Sequence, residues 1–124
     1  IEYAATALKV PHIIVLGHSN CGGVNAHRCG VRDNAPKRGF IGRWLTLLDG
    51  LEPVESDISA FGDEMAFELG AVRVSLANLN TFPFIEERMR DGLLALHGLH
   101  FDIRSGGLLS LDQKTGQFAA LDEA

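Results

Sequence analysis

The sequence predicts an α/β fold: a mostly parallel sheet flanked by helices, within a single domain spanning residues 1–124. Three observations carry that expectation. His12-Ile13-Ile14-Val15-Leu16-Gly17 is short, β-branched and almost wholly apolar, as a strand buried on both faces of a parallel sheet should be. Met65, Leu69, Val72, Leu76 and Leu79 recur at helical spacing within Phe61 to Leu79. The tail then changes period, so Leu94 to Ile103 and Leu108 to Leu111 read as strands.

The elements follow in chain order. Ile1, Ala5 and Leu8 recur at helical spacing with no start signal ahead of them. Ile1 to Lys9 is therefore the second half of a helix already under way, and the natural protein is expected to continue upstream. Val10-Pro11 ends that helix, because proline disfavours helix at the residue before it. Helix, tight link and buried strand make the second half of a βαβ unit. After the strand comes a loop, His18 to Gly23, opening into a short helix around Val24 to His27. Residues 30 to 39 have the composition of a surface loop. Phe40 to Leu51 carries Ile41, Trp44, Leu45 and Leu48 at helical spacing, and Glu52 to Ser59 is a polar break around Pro53. A short helix from about Pro83 to Arg90 stops at Gly92. Ser105-Gly106-Gly107 and Lys114-Thr115-Gly116 are turns.

Composition excludes some partners. The net charge of −5 and the scattered basic residues argue against nucleic acid, which selects a basic stripe. No apolar run reaches the roughly 20 residues that span a bilayer. The two cysteines, Cys21 and Cys29, are not needed as a disulfide staple in a chain this rich in core residues. With five histidines present, a metal role for one cysteine competes.

The chemistry concentrates at His18-x-x-Cys21, at the carboxyl end of the predicted strand, where open α/β sheets place their ligands. Zinc accepts imidazole nitrogen and thiolate sulfur, and a two-residue gap around a tight turn lets both face one point. Gly22 and Gly23 allow close backbone approach at an exposed helix N-terminus, whose dipole favours a Cys21 thiolate. The competing reading is a small packed cysteine beside a strand-capping histidine. The other candidates read as structural. His12 is a strand-edge residue, His27 lies on the surface of the short helix, and His97 and His100 belong to the tail strand. Trp44 is core or interface, Met65 and Met89 fill gaps, and Asp102 and Arg104 sit on a strand surface.

Ile1-Glu2-Tyr3-Ala4, Leu8-Lys9-Val10 and His12 through Gly23 resemble the central segment of β-class carbonic anhydrases. Arg43-Trp44-Leu45, Ser75 to Leu79, Thr81-Phe82-Pro83-Phe84, Leu96-His97-Gly98 and Phe101-Asp102-Ile103 resemble that family's C-terminal half. The resemblance implies one catalytic Zn2+ held by two cysteines and one histidine, with His18 and Cys21 as two of the three ligands. The first cysteine belongs to an upstream Cys-x-Asp-x-Arg motif that this chain does not contain, and its catalytic Asp-Arg pair is expected there too. Cys29 matches no family ligand and is better read as a loosely buried thiol. Tyr3 matches a tyrosine lining the substrate pocket near a subunit interface, and Gly22 a glycine whose backbone faces the metal-bound group. The implied activity is reversible hydration of carbon dioxide to bicarbonate by a cytoplasmic homodimer or homotetramer. Two alternatives stand beside it: a carbonyl sulfide or carbon disulfide hydrolase on the same fold, and a truncated, non-catalytic zinc-binding relative.

Overall fold

The computed structural model describes residues 1–121. Its elements run α1 (Glu2–Thr6), β1 (His12–His18), α2 (Gly22–Arg32), α3 (Gly39–Leu45), a 3-10 turn (Thr46–Leu48), α4 (Glu55–Phe61), α5 (Asp63–Leu79), α6 (Pro83–Arg90), β2 (Ala95–Phe101), β3 (Leu108–Asp112) and β4 (Gln117–Ala120). Among the described residues, no helix is long and apolar enough to cross a membrane.

The four strands form one sheet in the order β1-β2-β3-β4. β1 and β2 are parallel, with His12 opposite Ala95 and His18 opposite Phe101. The two pairings that follow, β2 with β3 and β3 with β4, are antiparallel. Within the described residues the parallel character is thus confined to β1 and β2. The reason is connection length: the tail strands are joined by turns, and only antiparallel neighbours accept a tight hairpin. β4 adds to the expected strands, and the expected turn at Lys114-Thr115-Gly116 is what makes it possible.

The long helix α5 organises the core. Leu69, Val72, Leu76 and Leu79 pack toward the sheet with Ile85, Leu94, Leu96 and Phe118. Phe67 faces the other way, joining Val24, Leu45, Leu48 and Leu51 from the α2–α3 side. A helix caught between two layers is apolar on more than one face. Its close approach to the sheet depends on two glycines. A Cβ on Gly17 would lie 2.7 Å from Val72 Cγ2, and one on Gly98 would lie 2.9 Å from both Leu76 Cδ1 and Val72 Cγ1.

Several expectations need correction. β1 is covered on one face only: Ile13 and Val15 pack into the core, while Ile14 and Leu16 are 58% and 59% exposed. α5 supplies the one cover, and no described element supplies a second. α2 continues through Arg32, so the start of the expected 30–39 loop is helical and Cys29 lies inside the helix. The polar stretch after Pro53 folds as α4, whose Asp57 is buried beside Arg73. His27 is buried against Phe67 instead of lying on a surface.

Candidate functional site

β1 delivers His18 to the carboxyl end of the sheet, and the chain then reverses within Ser19-Asn20-Cys21. Asn20 makes the reversal possible by adopting φ 56°, a left-handed conformation that asparagine tolerates better than most residues. The turn is fastened by four hydrogen bonds. The Ser19 N–H donates to the Phe101 carbonyl at 3.0 Å, and the Ile103 N–H donates to the buried Ser19 hydroxyl at 2.8 Å. The Asn20 N–H donates to Glu68 Oε1 at 3.2 Å, and Glu68 Oε2 lies 3.1 Å from His100 Nε2. Arg104 Nη2 also reaches Asn20 Oδ1 at 3.4 Å.

Cys21 is the N-cap of α2 and carries a free, half-buried thiol. His18 Nδ1 lies 2.9 Å from the Ser19 carbonyl. A carbonyl only accepts, so Nδ1 holds a hydrogen, and the neutral ring then has its lone pair on Nε2, the tautomer of a metal-ligating imidazole whose other nitrogen is tied to backbone. Both residues line one cavity of about 250 Å³ together with Leu16, Val24, Trp44 and Glu68. Gly23 is required beside it, because a Cβ there would lie 2.5 Å from the Trp44 ring.

Of the four residues the sequence singled out, the structure brings together His18 and Cys21. Tyr3 stands on α1, 70% exposed, and does not line that cavity. Gly22 is the first residue of α2, exposed, and a Cβ placed on it would meet nothing within 4 Å. Cys29 is half-buried, with its sulfur 3.9 Å from Asn25 Oδ1. Among the described residues, no three His, Cys, Asp or Glu side chains are grouped to hold a metal ion. The imidazole and thiol suit zinc as a partial donor set.

Glu68 is the functional candidate that sequence reasoning missed. The available signal was a lone carboxylate inside the otherwise apolar run Ala66 to Val72. Asp102, in the turn after β2, has its carboxyl held below the usual carboxylate range by the Ser105 hydroxyl and then by the Arg104 N–H. The structure thus places Asp102 and Arg104 beyond the strand, in the turn that abuts Ser19 and Asn20.

A family model described as carbonic anhydrase matches residues 1–108. The chain belongs to the β-carbonic anhydrase family. It is 36% identical over 127 residues to carbonic anhydrase 1 of Escherichia coli O157:H7, covering 98% of this chain and 56% of that protein. Against beta carbonic anhydrase 3 of Arabidopsis thaliana it is 36% identical over 131 residues, covering 98% and 50%. Among solved structures it resembles the β-carbonic anhydrase CcaA, with TM-score 0.72 and 28% identity over 98% of this chain and 56% of that one. It also resembles tetrameric β-carbonic anhydrases of Sordaria macrospora, with TM-score 0.67 and 28% identity over 96% of this chain and 59% of that one. This member of the family therefore spans about half the length of the curated relatives it matches.

Proposed function

We propose that this chain is the zinc-binding part of an enzyme that reversibly hydrates carbon dioxide to bicarbonate. The observation that carries the reading is the pairing of donors at the end of β1. A histidine tautomer with Nε2 unprotonated and a free thiol at a helix N-cap line one cavity. Support also comes from the family match and from relatives named as carbonic anhydrases. None of those names favours the sulfur-substrate alternative.

In this reading His18 Nε2 and Cys21 Sγ hold the ion, and a third donor and an Asp-Arg pair come from outside this chain. Zinc, when bound, supplies a Lewis acid that lowers the pKa of water to about 7. The chain's own residues shape what happens around it. Leu16, Val24 and Trp44 wall the cavity with apolar surface suited to a small, uncharged, linear substrate. In the same reading the Gly22 N–H would contact the metal-bound group, and Tyr3 would line the substrate pocket near a subunit boundary. The exposed face of β1 and its edge, unpaired among the described residues, fit a homodimer or homotetramer, the latter as in the Sordaria proteins, and a cytoplasmic location is part of the same reading.

The test is zinc content and carbon dioxide hydration in the intact protein and in Cys21→Ala. The variant is expected to lose both. A variant that keeps both removes Cys21 from the site.

A further inference from the structure

We propose that Glu68 is a positioning residue for the metal-binding turn, acting on His18 and Cys21 through the backbone of Asn20; the proposal rests on the zinc reading above. Glu68 is 5% exposed and reaches from α5 to the turn, which is 48 residues earlier in the chain. Its two oxygens do separate work. One accepts the N–H of Asn20, the left-handed residue that sits between the two metal donors. The other faces His100 Nε2 on β2.

His100 is fully buried, and its Nδ1 has no partner. An unpartnered lone pair costs less than an unpartnered buried N–H, so Nε2 carries the hydrogen and donates it to Glu68. Gly17 stands opposite His100 across the parallel pairing. The carboxylate therefore ties three elements to one point: the turn, α5 and β2. A turn held in this way presents His18 and Cys21 in a fixed relation before any ion arrives, which lowers the ordering cost of binding.

Glutamine has the volume of glutamate but serves both partners only if His100 changes tautomer, which moves the imidazole hydrogen to the buried Nδ1, where it meets no described partner. If its oxygen accepts from Asn20, its amide hydrogens oppose the His100 N–H. If it turns over, they oppose the Asn20 N–H. The test titrates the intact apo protein with Zn2+ against a chromophoric chelator, and with Co2+ as a spectroscopic probe. Glu68→Gln is expected to weaken Zn2+ binding by about 10–100-fold and to alter the Co2+ absorption envelope. Leu69→Ala, at the next, fully buried position of α5, controls for a purely structural effect. It should lower the thermal midpoint yet hold Zn2+ within a factor of about three, against the 10–100-fold of a lost supporting contact.

Should Glu68→Gln not fold, Glu68→Leu/His100→Leu replaces the buried pair by apolar side chains and still leaves the Asn20 N–H without its acceptor. That variant is expected to show the same loss of affinity. Wild-type affinity in either Glu68 variant overturns the proposal. So does a loss equal to that of Leu69→Ala at the same thermal midpoint. Wild-type protein that binds neither ion overturns the zinc reading and this proposal with it. Binding that Cys21→Ala abolishes and Glu68→Gln spares overturns this proposal alone.

Discussion

Gly17→Ala probes the contact that seats α5 on the sheet. The new Cβ would stand 2.7 Å from Val72 Cγ2. Ordinary carbon contact begins near 3.5 Å, so the strand and helix must part by roughly 0.8 Å. The partner cannot easily give way. Val72 is 2% exposed and β-branched within a helix, where one χ1 rotamer dominates. Overpacking of this kind costs about 1–3 kcal/mol. Exchanging glycine for alanine in a strand returns roughly 0.5–1 kcal/mol of chain entropy. The middle of those ranges leaves a net loss of about 1 kcal/mol, read as a lower urea midpoint at unchanged m-value. Gly30→Ala is the control, since nothing lies within 4 Å of its Cβ position and it sits inside α2. It should stabilise by up to about 1 kcal/mol. The decisive variant is Gly17→Ala/Val72→Ala, which removes the clashing methyl. The pair should be less destabilised than the sum of the single changes, by about 0.5–3 kcal/mol of coupling. Strict additivity would refute the claim that the Gly17–Val72 contact limits how closely α5 approaches the sheet.

Three further outcomes follow from particular side chains. Arg73 pairs with the buried Asp57, donates to the Gly116 carbonyl at 2.9 Å and lies 4.8 Å from the Phe118 ring centroid. Arg73→Leu should cost about 3–5 kcal/mol, and Arg73→Leu/Asp57→Leu much less, because only the single change strands a buried charge; equal losses in chemical denaturation would contradict this. Burial, aided by the Lys37 charge, pushes the His27 pKa below its ordinary value. The unfolded chain therefore takes up a proton that the folded chain refuses, and stability falls as pH drops below about 6.5. His27→Leu should flatten that decline in thermal midpoints measured across the range, and an unchanged pH profile would count against it. The described residues expose Ile14, Leu16 and a β1 edge that none of them pairs, and the 124 residues alone should associate or precipitate. Light scattering that finds a stable monomer would contradict that expectation.

Local signals in the sequence located much of the fold. α6 runs from Pro83 to Arg90 as read, because proline opens it and glycine follows it. β1 and the two tail strands were legible from their composition and change of period. What escaped depends on partners distant in the chain. α4 looked like a polar break because the burial of Asp57 is made tolerable by Arg73, sixteen residues on. His27 looked like a surface residue because Phe67, which covers it, comes forty positions later. The open face of β1 could not be read from its apolar pattern, since composition says that a face can be buried but not what buries it. At the site, the spacing of His18 and Cys21 and their place after the strand left a packed cysteine as an equal reading, and the resemblance of His12 through Gly23 to the family singled the pair out. Glu68 was hidden because its meaning lies in Asn20 and His100, which only the folded chain brings to it.

The most direct measurement is anomalous diffraction at the zinc edge from crystals of the intact protein. A peak within bonding distance of both His18 Nε2 and Cys21 Sγ, at about 2.0–2.3 Å, is the expected result. Electron density that shows both side chains lining their shared cavity, with no anomalous peak between them, would contradict the account.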